Sequence, residues 1–167
     1  MDLDLHFRIP SPEEFGRVSE QIAVSYVSAY RGFMNDSYLD SLSADHWCSI
    51  LHDSIGRGDT CIVAECGETI VGSTVFGTVD GVDGLCAEWH AFYLLPEYTG
   101  RGIGPLFYQS IEKEMIKLGC STCMLEVLSN NERAIRFYLS HGFLKVDDFI
   151  VVENGMSLRC DKMFIRL

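Results

Sequence analysis

A segment near the middle of the chain reads Cys86-Ala87-Glu88-Trp89-His90-Ala91-Phe92-Tyr93-Leu94-Leu95-Pro96-Glu97-Tyr98-Thr99-Gly100-Arg101-Gly102-Ile103-Gly104-Pro105. Its first half is apolar and aromatic and predicts a buried strand, which Pro96 ends by removing a backbone donor. The alternating glycines predict a turn, and apolar residues at helical spacing follow over residues 103–118. The start of such a helix presents free N–H groups and the positive end of its dipole. The segment therefore predicts an anion site that fits a phosphate group.

The composition predicts one soluble domain over residues 1–167. Of these residues, 47% are apolar, which is enough for a sizeable core. No run of about 18 apolar residues is present, and the first residues lack the basic and apolar regions of a signal peptide, so we expect a cytoplasmic protein with no membrane partner. Seven cysteines, an odd number scattered through apolar stretches, favour a reducing compartment over a disulfide framework.

The net charge of the chain indicates which kinds of ligand it could bind. The chain has 24 acidic and 13 basic residues and a net charge of −11, without a basic cluster interleaved with aromatics. Nucleic acid is therefore a poor candidate ligand. An acidic surface favours a cationic ligand, although acidity also promotes solubility. Outside the segment quoted above, the histidines show no ligand spacing, so we expect no metal.

Hydrophobic periodicity and turn signals predict the order of elements along the chain. That order is strand, two helices, three strands, helix, strand, helix and two strands. The first strand is expected over residues 3–9 and the first helix up to residue 30, with a turn near Gly32. The later elements are expected over residues 43–55 (helix), 60–64, 69–79 and 86–95 (strands), 103–118 (helix), 123–128 (strand), 131–139 (helix), and 143–152 and 156–165 (strands).

A second motif lies near the C-terminal end, where the chain reads Asn131-Glu132-Arg133-Ala134-Ile135-Arg136-Phe137-Tyr138-Leu139-Ser140-His141-Gly142-Phe143. Asn131 and Tyr138 are seven positions apart, so on a helix they lie on one face, about 10 Å apart. Both residues have a second interpretation, since Asn131 is also a good helix N-cap and Tyr138 could simply pack in the core.

The two motifs and the element order resemble the GNAT superfamily of acyl-CoA-dependent N-acetyltransferases along essentially the whole chain, with a weak similarity to its bacterial small-molecule branch. The family patterns are Gln/Arg-x-x-Gly-x-Gly/Ala and Asn-x-x-Ala-x-x-Phe-Tyr-x-x-x-Gly-Phe. Thr99 departs from the first pattern, which indicates a loss of cofactor affinity. The resemblance implies an α/β (α+β) fold, a mixed, mostly antiparallel twisted sheet of about seven strands flanked by about four helices.

The resemblance also implies how acetyl-CoA, the co-substrate, is held. Main-chain groups of Thr99-Gly100-Arg101-Gly102-Ile103-Gly104 would bind the pyrophosphate, and Asn131 would bind the pantetheine arm. The N–H groups near Phe92 and Leu94 would bind the pantetheine amide and polarise the thioester carbonyl. Tyr138 would protonate or hydrogen-bond the leaving thiolate.

A base is needed because a free alkylamine is mostly protonated at pH 7. Glu88 matches the position of the catalytic glutamate in the histone-acetyltransferase branch and is the first candidate. His90, two residues on and therefore on the same strand face, is the competing base or a water-relay partner. Bulk water stays open as well. Glu88 could instead pair with an arginine, and His90 could be a satisfied core histidine.

The resulting hypothesis is transfer of an acetyl group to a primary amine of a small, cationic molecule by direct attack in a ternary complex. The acceptor pocket is expected to use Tyr30, Phe33, Asp36, Tyr38 and Trp47, each of which could equally be a core residue. Two alternatives stay open. The acceptor could be a protein N-terminus or lysine, or the chain could sense acyl-CoA without turnover. The resemblance also implies a capacity to form homodimers.

Overall fold

The computed structural model describes residues 4–167, and its strands form one seven-stranded sheet. In chain order the strands are β1 (Leu5–Arg8), β2 (Thr60–Cys66), β3 (Thr69–Gly81), β4 (Gly84–Leu94), β5 (Cys120–Leu128), β6 (Leu144–Glu153) and β7 (Met156–Arg166). The helices are α1 (Phe15–Tyr30), α2 (Asp36–Asp40), α3 (Cys48–Gly56), α4 (Ile103–Lys117) and α5 (Glu132–Ser140). Within residues 4–167, no helix combines the length and apolar content needed to cross a membrane.

The strand order is β1-β2-β3-β4-β5-β7-β6. Only β4 and β5 run parallel, and every other neighbouring pair is antiparallel. This confirms the expected mixed, mostly antiparallel sheet. The parallel pair requires a crossover, which α4 provides between the two central strands. The start of α4 therefore lies beside the end of β4.

Helices cover both faces of the sheet. On one face, α4 and α5 pack over a core that contains the fully buried rings of Phe76, Phe107 and Phe143. On the other face, α1 and α3 pack over a second core that includes Val18 and Leu51. These two faces are called the α4 face and the α1 face below. The β5 and β7 part of the α1 face is covered only by a small cluster next to α2.

The main difference from the expected fold is the short helix α2. The sequence predicted a turn over residues 32–36, and no long apolar stripe marks a helix after it, although Asn35 is a good N-cap residue. The helix forms because Leu39 is buried, with 1% of its surface exposed. The first strand spans Leu5–Arg8, and the predicted residue Leu3 lies outside the described residues. Strand β5 begins at Cys120, three residues earlier than predicted.

Candidate active site

A cleft of about 1360 Å³ opens in the middle of the sheet, where β4 and β5 separate. The parallel pairing of the two strands ends with Trp89 opposite Leu125, although β4 continues to Leu94 and β5 to Leu128. Paired strands lie about 4.8 Å apart and leave no room between them. The separation therefore exposes one edge of β4 and joins the two faces of the sheet through a continuous opening.

The exposed edge of β4 carries free backbone donors. The N–H of Leu95 donates to the carbonyl of Val71 at 2.8 Å, so the N–H of Leu95 points toward β3. Because successive N–H groups point to opposite sides of a strand, those of Phe92 and Leu94 point away from β3 and into the opening. Both residues line the cleft. Donors at these positions can bind amide or thioester oxygens of an extended ligand.

A β-bulge at His90 changes the face of the sheet to which the following side chains of β4 point. The register against β3 skips one residue between Trp89 and Ala91, so His90 is the extra residue. As a result Trp89 and Phe92 share the α4 face, with ring centroids 5.1 Å apart, where uninterrupted alternation would have separated them. Glu88, which immediately precedes Trp89, therefore projects to the α1 face.

Glu88 and His90 lie on the same side of the sheet. Gly77 lies opposite Glu88 in β3, so a Cβ on either residue would point to the same face. A Cβ at Gly77 would lie 3.2 Å from the His90 Nε2, which shows that the imidazole extends over this face. Both side chains line the cleft, Glu88 partly buried and His90 exposed. Simple alternation already predicts this arrangement, and the bulge that follows adds Ala91 to the same face.

The glycines before α4 have different roles. Gly100 has a φ of 73° and Gly102 a φ of 80°, a region that other residues rarely adopt, and Gly102 is the N-cap of α4. Gly104 is helical, and a Cβ there would lie 3.3 Å from the Phe137 ring, so its role is to let α4 approach α5. Ile103 is buried and anchors the first turn of the helix. The loop therefore turns the free N–H groups of α4 toward the cleft.

The two remaining positions of the loop contribute little through their side chains. The Thr99 hydroxyl donates to the carbonyl of Pro96 at 2.7 Å, so it closes the preceding turn. The Arg101 guanidinium lies 5.3 Å from the centre of the Tyr98 ring on an exposed surface. The departure of Thr99 from the family pattern thus falls on a side chain whose hydroxyl is already hydrogen-bonded to the preceding turn.

We expect Gly102→Ala to weaken CoA binding about 5- to 30-fold, because a left-handed backbone costs a residue with a Cβ roughly 1–2 kcal/mol. The loop would then leave the conformation that directs its N–H groups into the cleft. Isothermal titration of CoA measures the effect. Gly16→Ala is the matched control, since Gly16 lies in α1, outside the positive-φ set and with open space around it. Equal CoA affinity in the two variants would contradict the assignment of the loop.

Asn131 and Tyr138 lie at opposite ends of α5, and both line the cleft. The N–H of Ala134 donates to the Asn131 Oδ1 at 3.3 Å, so Asn131 is the N-cap of the helix. Its amide nitrogen remains available to a ligand. The Tyr138 ring packs against Trp89 and Phe143, at centroid distances of 5.6 and 5.7 Å. The N-cap interpretation of Asn131 is therefore correct, and it leaves the binding role open.

The surroundings of Tyr138 keep its hydroxyl protonated. Burial raises the pKa of this phenol above its ordinary value near 10, and the nearby Tyr30 and Cys123 raise it further. Full transfer of the proton from this phenol to a thiolate is unfavourable. The thiol has a pKa near 8.5, so the thiolate is a weaker base than the phenolate. It is well suited to donating a hydrogen bond to a developing thiolate.

The α1-face half of the cleft is lined by tyrosines and carboxylates. Tyr30 and Phe33, both expected from the sequence, lie here. Tyr26, Glu126 and Glu153 also line this half and were missed, because nothing in their local sequence marks a site.

Three residues expected in the acceptor pocket lie elsewhere. Asp36 is exposed and pairs with Arg31 at 3.1 Å. Tyr38 packs in the small cluster beside α2, and Trp47 packs against Tyr26 at a centroid distance of 5.1 Å. None of the three lines the cleft as described. The core interpretation is therefore correct for Tyr38 and Trp47, whereas Asp36 is a surface residue.

The described part of the chain contains no cluster of potential metal ligands. Within residues 4–167, no three His, Cys, Asp or Glu side chains converge in a way that could hold an ion. All seven cysteines are free thiols. The cleft is lined by backbone N–H donors, carboxylates, phenols, one imidazole and the Cys160 thiol, together with the cations Arg31, Arg133 and Lys162.

The amino-acid sequence is similar to a known protein family and to a characterised relative. A model described as "Acetyltransferase (GNAT) family" matches residues 22–143. Spermidine N(1)-acetyltransferase of Thermoplasma acidophilum is 27% identical over 149 residues, which cover 87% of this chain and 91% of that protein.

Solved structures share the fold. PaiA N-acetyltransferase of Thermoplasma acidophilum, crystallised in complex with coenzyme A, has a TM-score of 0.78 at 23% identity, covering 99% of this chain and 100% of that one. The ribosomal-protein-S18-alanine N-acetyltransferase of Escherichia coli has a TM-score of 0.74 at 15% identity, covering 97% and 93%. Since small-molecule and protein acetyltransferases both match, the fold alone does not identify the acceptor.

Proposed function

This chain belongs to the Acetyltransferase (GNAT) family, and on that premise we propose that it transfers the acetyl group of acetyl-CoA to a primary amine of a small, cationic molecule. The observation that carries the proposal is the continuous cleft between β4 and β5. It joins a glycine loop and free amides with a group of carboxylates and tyrosines on the α1 face. Both partners of the reaction can therefore meet at the bulged part of β4.

In this proposal the cofactor lies along the exposed edge of β4. The pyrophosphate accepts hydrogen bonds from the N–H groups at the start of α4, beside Gly102. The pantetheine arm accepts from the N–H groups of Phe92 and Leu94 and from the Asn131 amide nitrogen. Tyr138, seven positions after Asn131 on the same helix, then lies near the sulfur end of the arm.

Glu88 is the proposed general base. An alkylamine with a pKa near 10.4 is neutral in only about one molecule in several thousand at pH 7, so the bound ammonium must lose a proton before it attacks. Glu88 projects to the α1 face at the point where the cleft joins the two sides of the sheet. A carboxylate there both attracts the ammonium and accepts its proton, directly or through water.

Backbone donors and Tyr138 stabilise the charge that develops during attack. Negative charge grows first on the thioester oxygen, where a free β4 N–H stabilises it without reorganisation. It then moves to the sulfur as the carbon–sulfur bond breaks. The Tyr138 hydroxyl, held protonated by its surroundings, donates a hydrogen bond to that sulfur.

The lining of the acceptor half favours a cationic substrate. Glu88, Glu126 and Glu153 supply three negative charges against two positive charges from Arg31 and Lys162, and Lys162 lies opposite Glu126 in β7. The Tyr30 ring adds a surface that suits an ammonium group. A relative named for spermidine acetylation, similar over 87% of this chain, supports a polyamine-like acceptor.

A covalent acetyl-enzyme is not part of the proposal. Cys160 lines the cleft, but burial and the neighbouring carboxylates of Glu126, Asp161 and Glu153 raise the pKa of its thiol. The reactive form of cysteine is the thiolate, which these surroundings disfavour. Direct attack by the amine on bound acetyl-CoA is the simpler route.

The test is the rate of thiol release from acetyl-CoA with polyamines, aminoglycosides, amino acids and lysine-bearing peptides at equal concentrations. We expect the polyamines to react fastest. Activity on peptides alone would show that the acceptor is a protein N-terminus or lysine. Binding of CoA without release by any amine would show a non-catalytic sensor. Either outcome would overturn the proposal.

We expect Glu126→Gln to raise KM about fivefold for a diamine and to leave KM for a monoamine of similar length unchanged. The reason is that a second ammonium near this carboxylate gains about 1 kcal/mol in a solvated setting. Initial rates with the two acceptors measure the difference. Glu68→Gln is the matched control, since Glu68 lies in the exposed turn between β2 and β3. An equal change in KM for both acceptors would show that Glu126 does not recognise the second amine.

A further inference from the structure

A partly buried carboxylate from a distant part of the chain, that of Asp59, lies behind the His90 imidazole. Asp59 immediately precedes β2, and its Oδ2 lies 3.9 Å from the His90 Nε2. The Asp59 side chain is 14% exposed and the His90 side chain 45% exposed. The carboxylate is therefore shielded behind the ring, while the ring itself reaches the solvent side of the cleft.

Asp59 is held in place by a hydrogen bond from α3. The Ser54 hydroxyl donates to the Asp59 Oδ2 at 2.5 Å, and Ser54 is itself buried. The Arg57 guanidinium lies 3.9 Å from the same oxygen, as far away as the His90 Nε2, and its side chain is 68% exposed. A charge–dipole bond from a fixed hydroxyl orients a carboxylate more firmly than a mobile surface arginine does.

Gly77 provides the space in which the carboxylate and the imidazole meet. A Cβ at this position would lie 2.5 Å from the Asp59 Oδ1 and 3.2 Å from the His90 Nε2. The backbone at Gly77 has no positive φ, so conformational freedom does not explain the glycine. The strand interior loses side-chain packing at a glycine, and here that loss leaves room for the pair.

This geometry gives the two ring nitrogens different roles. Nε2 faces the Asp59 carboxylate, which favours a proton on that nitrogen, and the Nδ1 lone pair is then left to accept a proton. His90 lines the cleft beside Glu88, on the same face of the sheet. At 3.9 Å the imidazole and the carboxylate are at ion-pair distance and are not hydrogen-bonded, and contacts between catalytic groups often shorten when substrate binds.

We propose that His90 carries the proton of the acceptor amine from Glu88 to solvent, and that Asp59 is the positioning residue that orients His90 for this transfer. The inference rests on the proposed acetyltransferase function. One ammonium and one acetyl thioester give one amide, one thiol and one released proton. That proton leaves the nitrogen for Glu88 and moves to Nδ1, while the imidazolium formed is stabilised by Asp59 and then loses a proton to water.

Asp59→Asn and His90→Gln test the relay, with Asp53→Asn in α3 as the control, since Asp53 is exposed and lies outside the cleft lining. We expect Asp59→Asn to lower kcat about 5- to 20-fold, a fraction of the effect of a full general base, with CoA affinity unchanged. The double variant should be no slower than His90→Gln alone, because Asp59 acts through His90. Raising the concentration of a small buffer base at fixed pH and ionic strength should restore most of the lost rate in each single variant and leave the wild type unchanged.

The outcomes separate this inference from the proposed function. An inactive wild type would refute the acetyltransferase proposal itself. An active wild type with additive losses in the double variant, or with losses that buffer does not restore, would refute the relay and leave a structural role for Asp59. If Asp59→Asn folds poorly, Gly77→Ala replaces it, because the added methyl displaces the same pair. The same loss of kcat and the same buffer rescue are then expected, and their absence would refute the relay.

Discussion

Glu88→Gln should lower kcat for amine acetylation by about two to four orders of magnitude, the range expected for loss of a general base. Glutamine keeps the size of the side chain, and the phosphate loop and the free β4 amides are untouched. We therefore expect CoA affinity within about twofold of the wild type, since the only change is a group that does not contact the cofactor. Steady-state rates and CoA titration measure the two quantities.

A weakly basic acceptor gives the sharper form of this test. An amine that is already neutral at pH 7 needs no base, so the loss caused by Glu88→Gln should shrink strongly for such an acceptor. Glu68→Gln, on an exposed turn outside the cleft lining, should leave both rates unchanged. An equal loss with strongly and weakly basic amines would show that Glu88 binds or packs and does not accept the proton.

Tyr138→Phe should lower kcat about 10- to 100-fold, because a hydrogen bond to a charged group contributes roughly 1.5–3 kcal/mol. The substitution keeps the ring that packs against Trp89 and Phe143. Binding of CoA should change little, since the bond is strongest when charge has formed on the sulfur. Rates with saturating acetyl-CoA measure the effect.

Tyr108→Phe is the matched control for this prediction. Tyr108 belongs to the same aromatic core, with its ring 5.7 Å from Trp89, but its hydroxyl donates to Glu112 at 3.1 Å and does not line the cleft. We expect full activity in this variant. Full activity in Tyr138→Phe as well would mean that the leaving thiolate is stabilised by another group or by water.

The sequence predicted those parts of the site that depend on local structure. Gly100 and Gly102 adopt the positive φ angles that only glycine tolerates well, so the loop is marked by residue type. The Asn131 N-cap and Tyr138 are fixed by spacing within one helix. The order of the strands along the chain followed from periodicity and turns and is confirmed, whereas the seven-stranded mixed sheet was implied by the family resemblance.

The remainder depends on contacts between distant segments. The bulge at His90 is a property of the register between β3 and β4, and no residue type in β4 marks it. Asp59 follows Gly58, whose φ of 98° suits a turn, so its position in sequence resembles an ordinary loop acid. Sheet pairing alone brings it behind His90. Glu126 and Glu153 likewise reach the cleft through the order of the strands.

Rapid-quench mass spectrometry of a single turnover tests the central claim most directly. Enzyme in excess over acetyl-CoA is mixed with a polyamine, quenched at intervals, and both the amine and the intact chain are weighed. We expect the acetyl group to pass to the amine, with no acetylated chain at any time. An acetyl group that appears first on the chain, at Cys160 for example, or acetyl-CoA that stays intact with every amine, would contradict direct transfer in the cleft between β4 and β5.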